Sequence, residues 1–167
     1  TVADFPANYI LVDAALASNE HELGEMEEGH AHALALNLGL DSATNHSDPT
    51  QYTTAPLNDA TMHWSWNPAM GYKFLVLEGR VDANGDGLVD GSDPEFVYHC
   101  ASDDLLTETE VEAHHDLVEG ETFTVAVKVN MATMLAGIDV ASNLNAMGAT
   151  PVNARAMQNL AASLSTE

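Results

Sequence analysis

His32-Ala33-Leu34-Ala35-Leu36-Asn37-Leu38-Gly39-Leu40 alternates without a break: leucine stands at every even position from 34 to 40, with small or polar residues between. A period of two marks a strand with one buried face. Further along, Phe123, Val125, Val127 and Val129 alternate with Thr124, Ala126 and Lys128. Tyr72 to Leu77 is apolar on both faces, as a central strand is. Glu95 to Cys100 reads as a short strand with Phe96 and Tyr98 on one face and Val97 and His99 on the other. Helix is sparse. Met131 to Ala136 has room for one or two turns, and Thr150-Pro151 supplies an N-cap and a first-turn proline. Met157, Leu160, Ala161 and Leu164 then recur at helical spacing. Ser18 to Gly29 and Leu40 to Leu57 read as loops. Many strands and one terminal helix predict an all-β fold, a β-sandwich with Greek-key-like connections and a short C-terminal helix over one edge or end.

The chain has 167 residues, which suits a single domain over 1–167, and 46% of them are hydrophobic, enough for a substantial core. Four Lys and Arg face 26 Asp and Glu, a formal net charge of -22. Such a field repels phosphate, which argues against nucleic acid and anionic membrane surfaces, and it attracts cations. Cys100 is the one cysteine, so no intrachain disulfide forms. The chain begins at Thr1 rather than Met. A removed signal peptide explains this and predicts a secreted or cell-surface protein; trimming explains it too. No run approaches the roughly 20 apolar residues that span a bilayer.

Asp82-Ala83-Asn84-Gly85-Asp86-Gly87-Leu88-Val89-Asp90-Gly91-Ser92-Asp93 carries the strongest local pattern. Oxygen side chains fall at loop positions 1, 3, 5, 9 and 12, glycine at 6, and Leu88 offers its carbonyl at 7. Calcium takes about six to eight oxygens, and this spacing wraps them round one point. The expected ligands are Asp82, Asn84, Asp86, Leu88, Asp90 and Asp93. The last is shorter than the usual Glu. The flanks read as strands, so a structural calcium inside a sheet connection is expected, not a sensor.

Eight histidines are present: His21, His30, His32, His46, His63, His99, His114 and His115. His30 and His32 lie two apart, so on a strand they point the same way and can share an ion, zinc or copper(II). The parity of Val111, Ala113 and Leu117 turns His115 inward and His114 outward beside Glu110, Glu112 and Asp116. Both tryptophans sit in Met62-His63-Trp64-Ser65-Trp66-Asn67-Pro68-Ala69-Met70. Taken alone, that segment reads as a core strand with Trp64 and Trp66 anchoring one face.

His63-Trp64-Ser65-Trp66, followed by Gly71-Tyr72-Lys73-Phe74-Leu75-Val76-Leu77-Glu78-Gly79, resembles the signature of MbnP-like proteins. The likeness continues through Phe96-Val97-Tyr98-His99, Phe123 to Asp139, Met147-Gly148 and Asn159-Leu160, covering roughly residues 60 to 165. Within that family the chain is most similar to the CorA and MopE group, copper-repressible surface-associated proteins of methanotrophic bacteria. The resemblance implies a β-sandwich and one copper(I) held by two histidines and a tryptophan oxidised to kynurenine. An intact indole nitrogen is a donor only, whereas opening the ring frees an aryl amine whose lone pair can meet a metal. Copper(I) is soft, and imidazole suits copper. The resemblance places kynurenine at Trp64, with Trp66 as the alternative. For the two histidines the choice is His63, beside Trp64, and His114, whose outward face gives an ion access, with His115 as alternative; His30 and His32, in the N-terminal third where the likeness is poor, are further alternatives, and His99 also matches a family position.

These readings predict a copper-acquisition or copper-storage protein at the cell surface, outer-membrane associated, or secreted. Its partners would be the copper ion, an oxidase that modifies Trp and an outer-membrane copper uptake system. The alternative is a calcium-stabilised adhesion or assembly module without copper. No nucleophile motif, phosphate loop or defined catalytic pair is present, so no enzyme is expected.

Overall fold

The leucine alternation becomes β1, Gly29–Leu38, which pairs antiparallel with β4, Thr107–Leu117. The computed structural model describes residues 3–16 and 19–166. Thr1 and Ser18, which enter the readings of the chain start and the first acidic loop, lie outside the described residues. A second sheet orders β2 (Lys73–Arg80), β3 (Glu95–Ala101) and β6 (Asn145–Met147), with β3 antiparallel to β2 and parallel to β6. A third joins the two-residue β5 (Lys128–Val129) and β7 (Leu164–Ser165). The fold is all-β with few helices, and the expected terminal helix is α3, Pro151–Ser163, capped by the Thr150 hydroxyl on the Asn153 amide.

The core follows from strand alternation. Phe96, Tyr98 and Cys100 are buried along one face of β3. Ala156 and Met157 of α3 pack with Cys100 and Leu105, and Leu38, Phe74, Leu75 and Leu77 close around them. Asn153 is buried on α3, and its Nδ2 donates to the carbonyls of His99, Ala146 and Gly148, so one side chain ties the helix start to β3 and β6.

Four expectations are corrected. Of the alternating run from Phe123 to Val129, only Lys128–Val129 pairs as strand. Phe123 and Val125 stay half-buried between exposed neighbours, so the side chains alternate without a partner strand to bond the backbone. The stretch 40–57 is not all loop: α1, Ser42–Asn45, forms because the Asp41 carboxylate caps the Thr44 amide. Leu164, expected in the terminal helix, lies beyond its end in β7. Trp64 and Trp66 do not share a strand face. Asn67 N–H donates to the Trp64 carbonyl, closing a turn that leaves Trp64 buried (4% exposed) and Trp66 out in solvent (75% exposed).

Asn45 locks α1 to β2. It is buried; its Oδ1 accepts from the Tyr72 amide at 2.7 Å and its Nδ2 donates to Asp103 at 2.7 Å. Gly71 is required beside it, because its φ is +68° and a Cβ there would lie 2.4 Å from the Asn45 carbonyl oxygen. Asn45→Ala leaves the buried Tyr72 amide without an acceptor, a loss of about 2 kcal/mol. Calorimetry should record a fall in Tm of roughly 4–8 °C; an unchanged Tm would show that α1 is not held this way.

Candidate metal centre

Strand pairing decides which histidines meet. Ala31 pairs with His115 and Ala33 with Glu112, so β1 uses one residue, His32, where β4 uses two, Ala113 and His114. This is a β-bulge. Beyond it, His30 pairs with Asp116. Directly opposed residues share a face. Had the pairing of Leu34 with Val111 run on unbroken, His32 would oppose Ala113, His30 would oppose His115, and His114 would leave from the other side. The shift instead sets His30, His32 and His114 on one exposed face.

Their rings are in contact. Centroids lie 4.5 Å apart for His30 and His32, 5.4 Å for His32 and His114, and 6.1 Å for His30 and His114. One ring nitrogen from each falls within 4.8 Å of the others, and among the described residues this is the one such group of three. His30 Nδ1 also meets Asp116 Oδ1 at 2.6 Å. That hydrogen bond, aided by the imidazole's charge when protonated, holds the Asp116 carboxyl below its ordinary pKa. Glu108, Glu110 and Glu112 continue the exposed face of β4 toward His114.

The other candidates lie elsewhere. His63 forms an isolated bridge with Tyr72, and their rings stand edge to face at 5.0 Å. Trp64 packs edge to face on Trp66 at 5.1 Å, and its ring is 6.1 Å from that of His99. His99 is 17% exposed and its Nε2 is 2.7 Å from Glu78 Oε1. His115, expected to face inward with Val111 and Ala113, is instead exposed at the end of β4 past the bulge, and it stacks flat on Phe123, centroids 4.0 Å apart. Among the described residues, the ring of His63 thus meets Tyr72, that of Trp64 meets Trp66 and His99, and that of His114 meets His30 and His32. His46 meets the Asp103 carboxylate, and Cys100 is buried, its thiol pushed up to about 12 by desolvation. A thiol held protonated is no thiolate ligand.

In the loop 82–93, Asp82 accepts from the amides of Gly85 and Gly87, Asp86 from Leu88 and Asp90 from Ser92. Asp93 is buried and accepts from the Asp90 amide, while Arg80 donates to its carbonyl. Gly85 and Gly87 take positive φ, the backbone that sharp turns of this loop require. The donors are hard oxygens of the type calcium takes, and in the absence of an ion they cap loop amides.

Two features escaped sequence reasoning. The β1–β4 pairing joins positions too distant for any local pattern. The contact of Asp116 with His30 was hidden because an acidic residue on an exposed face looks like any other of the 26.

Compared with known proteins, residues 1–154 match a family model described as MbnP. No curated protein and no solved structure matches the chain.

Proposed function

The chain belongs to the MbnP family, and we propose that it is a copper-binding protein whose ion is held by His30, His32 and His114. A metal-binding role is the reading that the family and the histidine cluster jointly support. The single observation that carries it is the convergence of three imidazole nitrogens within 4.8 Å. Nitrogen ligands sit about 2.0–2.1 Å from a bound ion, so they stand at most about 4 Å apart. Small ring rotations on this exposed face close the remaining gap. Three imidazoles satisfy copper(I), which tolerates low coordination, and nitrogen sites also rank copper(II) above the other divalent ions of its row. The net charge of -22 concentrates cations at the surface. Copper acquisition or storage, at the cell surface or in secreted form, is the role this chemistry fits. An outer-membrane uptake system would be the recipient. No helix among the described residues is long and apolar enough to cross a membrane.

A second reading keeps the kynurenine. Trp64 is buried with its ring 6.1 Å from that of His99 and beside His63 in sequence. Oxidised by a partner enzyme, its aryl amine would lie in a neighbourhood that already holds imidazoles. Calcium in the loop 82–93 is a separate structural proposal, supported by the oxygen spacing and by the positive φ of Gly85 and Gly87. The calcium-stabilised adhesion or assembly module is the reading left if copper does not bind.

Titration with copper(I) against a competing chelator should give one equivalent bound by His30, His32 and His114. His32→Ala should weaken binding at least tenfold, whereas the metal-free Tm stays put, because exposed substitutions move stability by about 0.5 kcal/mol or less. Full affinity in the variant would remove the centre from these histidines. Intact mass of natively sourced protein reads the kynurenine as a gain of about 4 Da, one carbon replaced by one oxygen, carried by the peptide with Trp64. Two unmodified indoles would end that reading. Calcium in excess should raise Tm by several degrees through its binding to the folded state alone, and Asp82→Ala should abolish the rise. A Tm indifferent to calcium would refute the loop assignment.

A further inference from the structure

Among the described residues, the rings of His32 and His114 make no side-chain hydrogen bond, whereas His30 is gripped by one. Its partner, Asp116, comes from the opposite strand, 86 residues away, and stands directly across the ladder. The carboxylate is 85% exposed, and no Lys or Arg among the described residues pairs with it. A neutral imidazole carries one N–H and one lone pair, and an ionised carboxylate can only accept. When the ring is neutral, the 2.6 Å contact puts the His30 proton on Nδ1 and leaves the lone pair on Nε2.

We infer that Asp116 is a positioning residue of the metal centre: it fixes the tautomer and plane of His30 so that Nε2 is the nitrogen offered to the ion. This rests on the assignment of the centre to His30, His32 and His114. The chemistry is that of a carboxylate–histidine–metal relay. The acceptor orients the ring and makes it a better donor, and loss of such a partner weakens a site by about 10–100-fold. Without Asp116, His30 divides between two tautomers and turns about its side-chain bonds. Asp116 does not itself touch the ion.

The test compares Asp116→Ala, Asp116→Asn, His32→Ala and the charge control Glu112→Gln in the full chain. Copper(I) affinity is read by chelator competition, and the His30 tautomer of the metal-free protein by nitrogen-resolved NMR. Asparagine keeps a carbonyl acceptor for Nδ1–H but loses the charge. Asp116→Ala should lose about tenfold in affinity and its Nδ1–H tautomer. Asp116→Asn should keep that tautomer and most of the affinity. Glu112→Gln should match the unaltered chain, which separates a hydrogen bond from a general loss of negative field. Wild-type affinity in Asp116→Ala, or an unchanged tautomer, overturns the inference. Equal losses in the Asn and Ala variants overturn it too, since they would make Asp116 a direct ligand. If His32→Ala also binds copper at full strength, the histidine centre itself has failed. If His32→Ala loses binding and Asp116→Ala does not, only the role of Asp116 falls.

Discussion

A single irregularity in the pairing of β1 with β4 governs the chemistry of this chain. Strand side chains have a period of two, so displacing a register by one residue moves a whole set from one face to the other. Here the displacement occurs at His32 against Ala113 and His114. On one side of it, Ala33 and Ala35 stand opposite Glu112 and Glu110; on the other, His30 stands opposite Asp116. β4 keeps its even positions in solvent throughout, whereas β1 exchanges odd for even. Three imidazoles and one carboxylate are gathered by that exchange, with no special loop to carry them.

The frame around this ribbon is held by polar side chains that substitute for backbone partners. Asn45 satisfies the Tyr72 amide, and the two N–H bonds of Asn153 are shared among three carbonyls at the junction of β3, β6 and α3. Buried amides of this kind are costly if left unmatched. Among the described residues the sheets have two or three strands, so a large share of their strands are edges with backbone groups left to pair elsewhere. The aliphatic core of Leu38, Leu75, Leu77, Cys100 and Met157 supplies the non-directional part of the stability.

Much of the fold was legible because its signals are local. The Leu34–Leu38 alternation, the apolar stretch before Leu77, the buried parity of Phe96 and Tyr98, and the Thr150-Pro151 helix start each declare themselves within a few residues. The outward aim of His114 and the common direction of His30 and His32 were legible for the same reason. What could not be read was which strand meets which. The register shift is a property of two segments jointly, and neither shows it alone. The turn after Trp64 was obscured by its two aromatic neighbours, which imitate strand alternation, while Asn67-Pro68 was the available sign that the chain leaves the strand there. Phe123 to Val127 misled in the opposite way: a strand pattern needs a hydrogen-bonding neighbour, and sequence does not supply one.

The contact between His30 and Asp116 spans 86 residues of chain. Nothing short of near-complete folding brings these ends together, and an unfolded polypeptide has no comparable cluster to offer an ion. An ion held by these side chains can therefore be captured only after the two strands have paired, so loading follows folding and does not precede it.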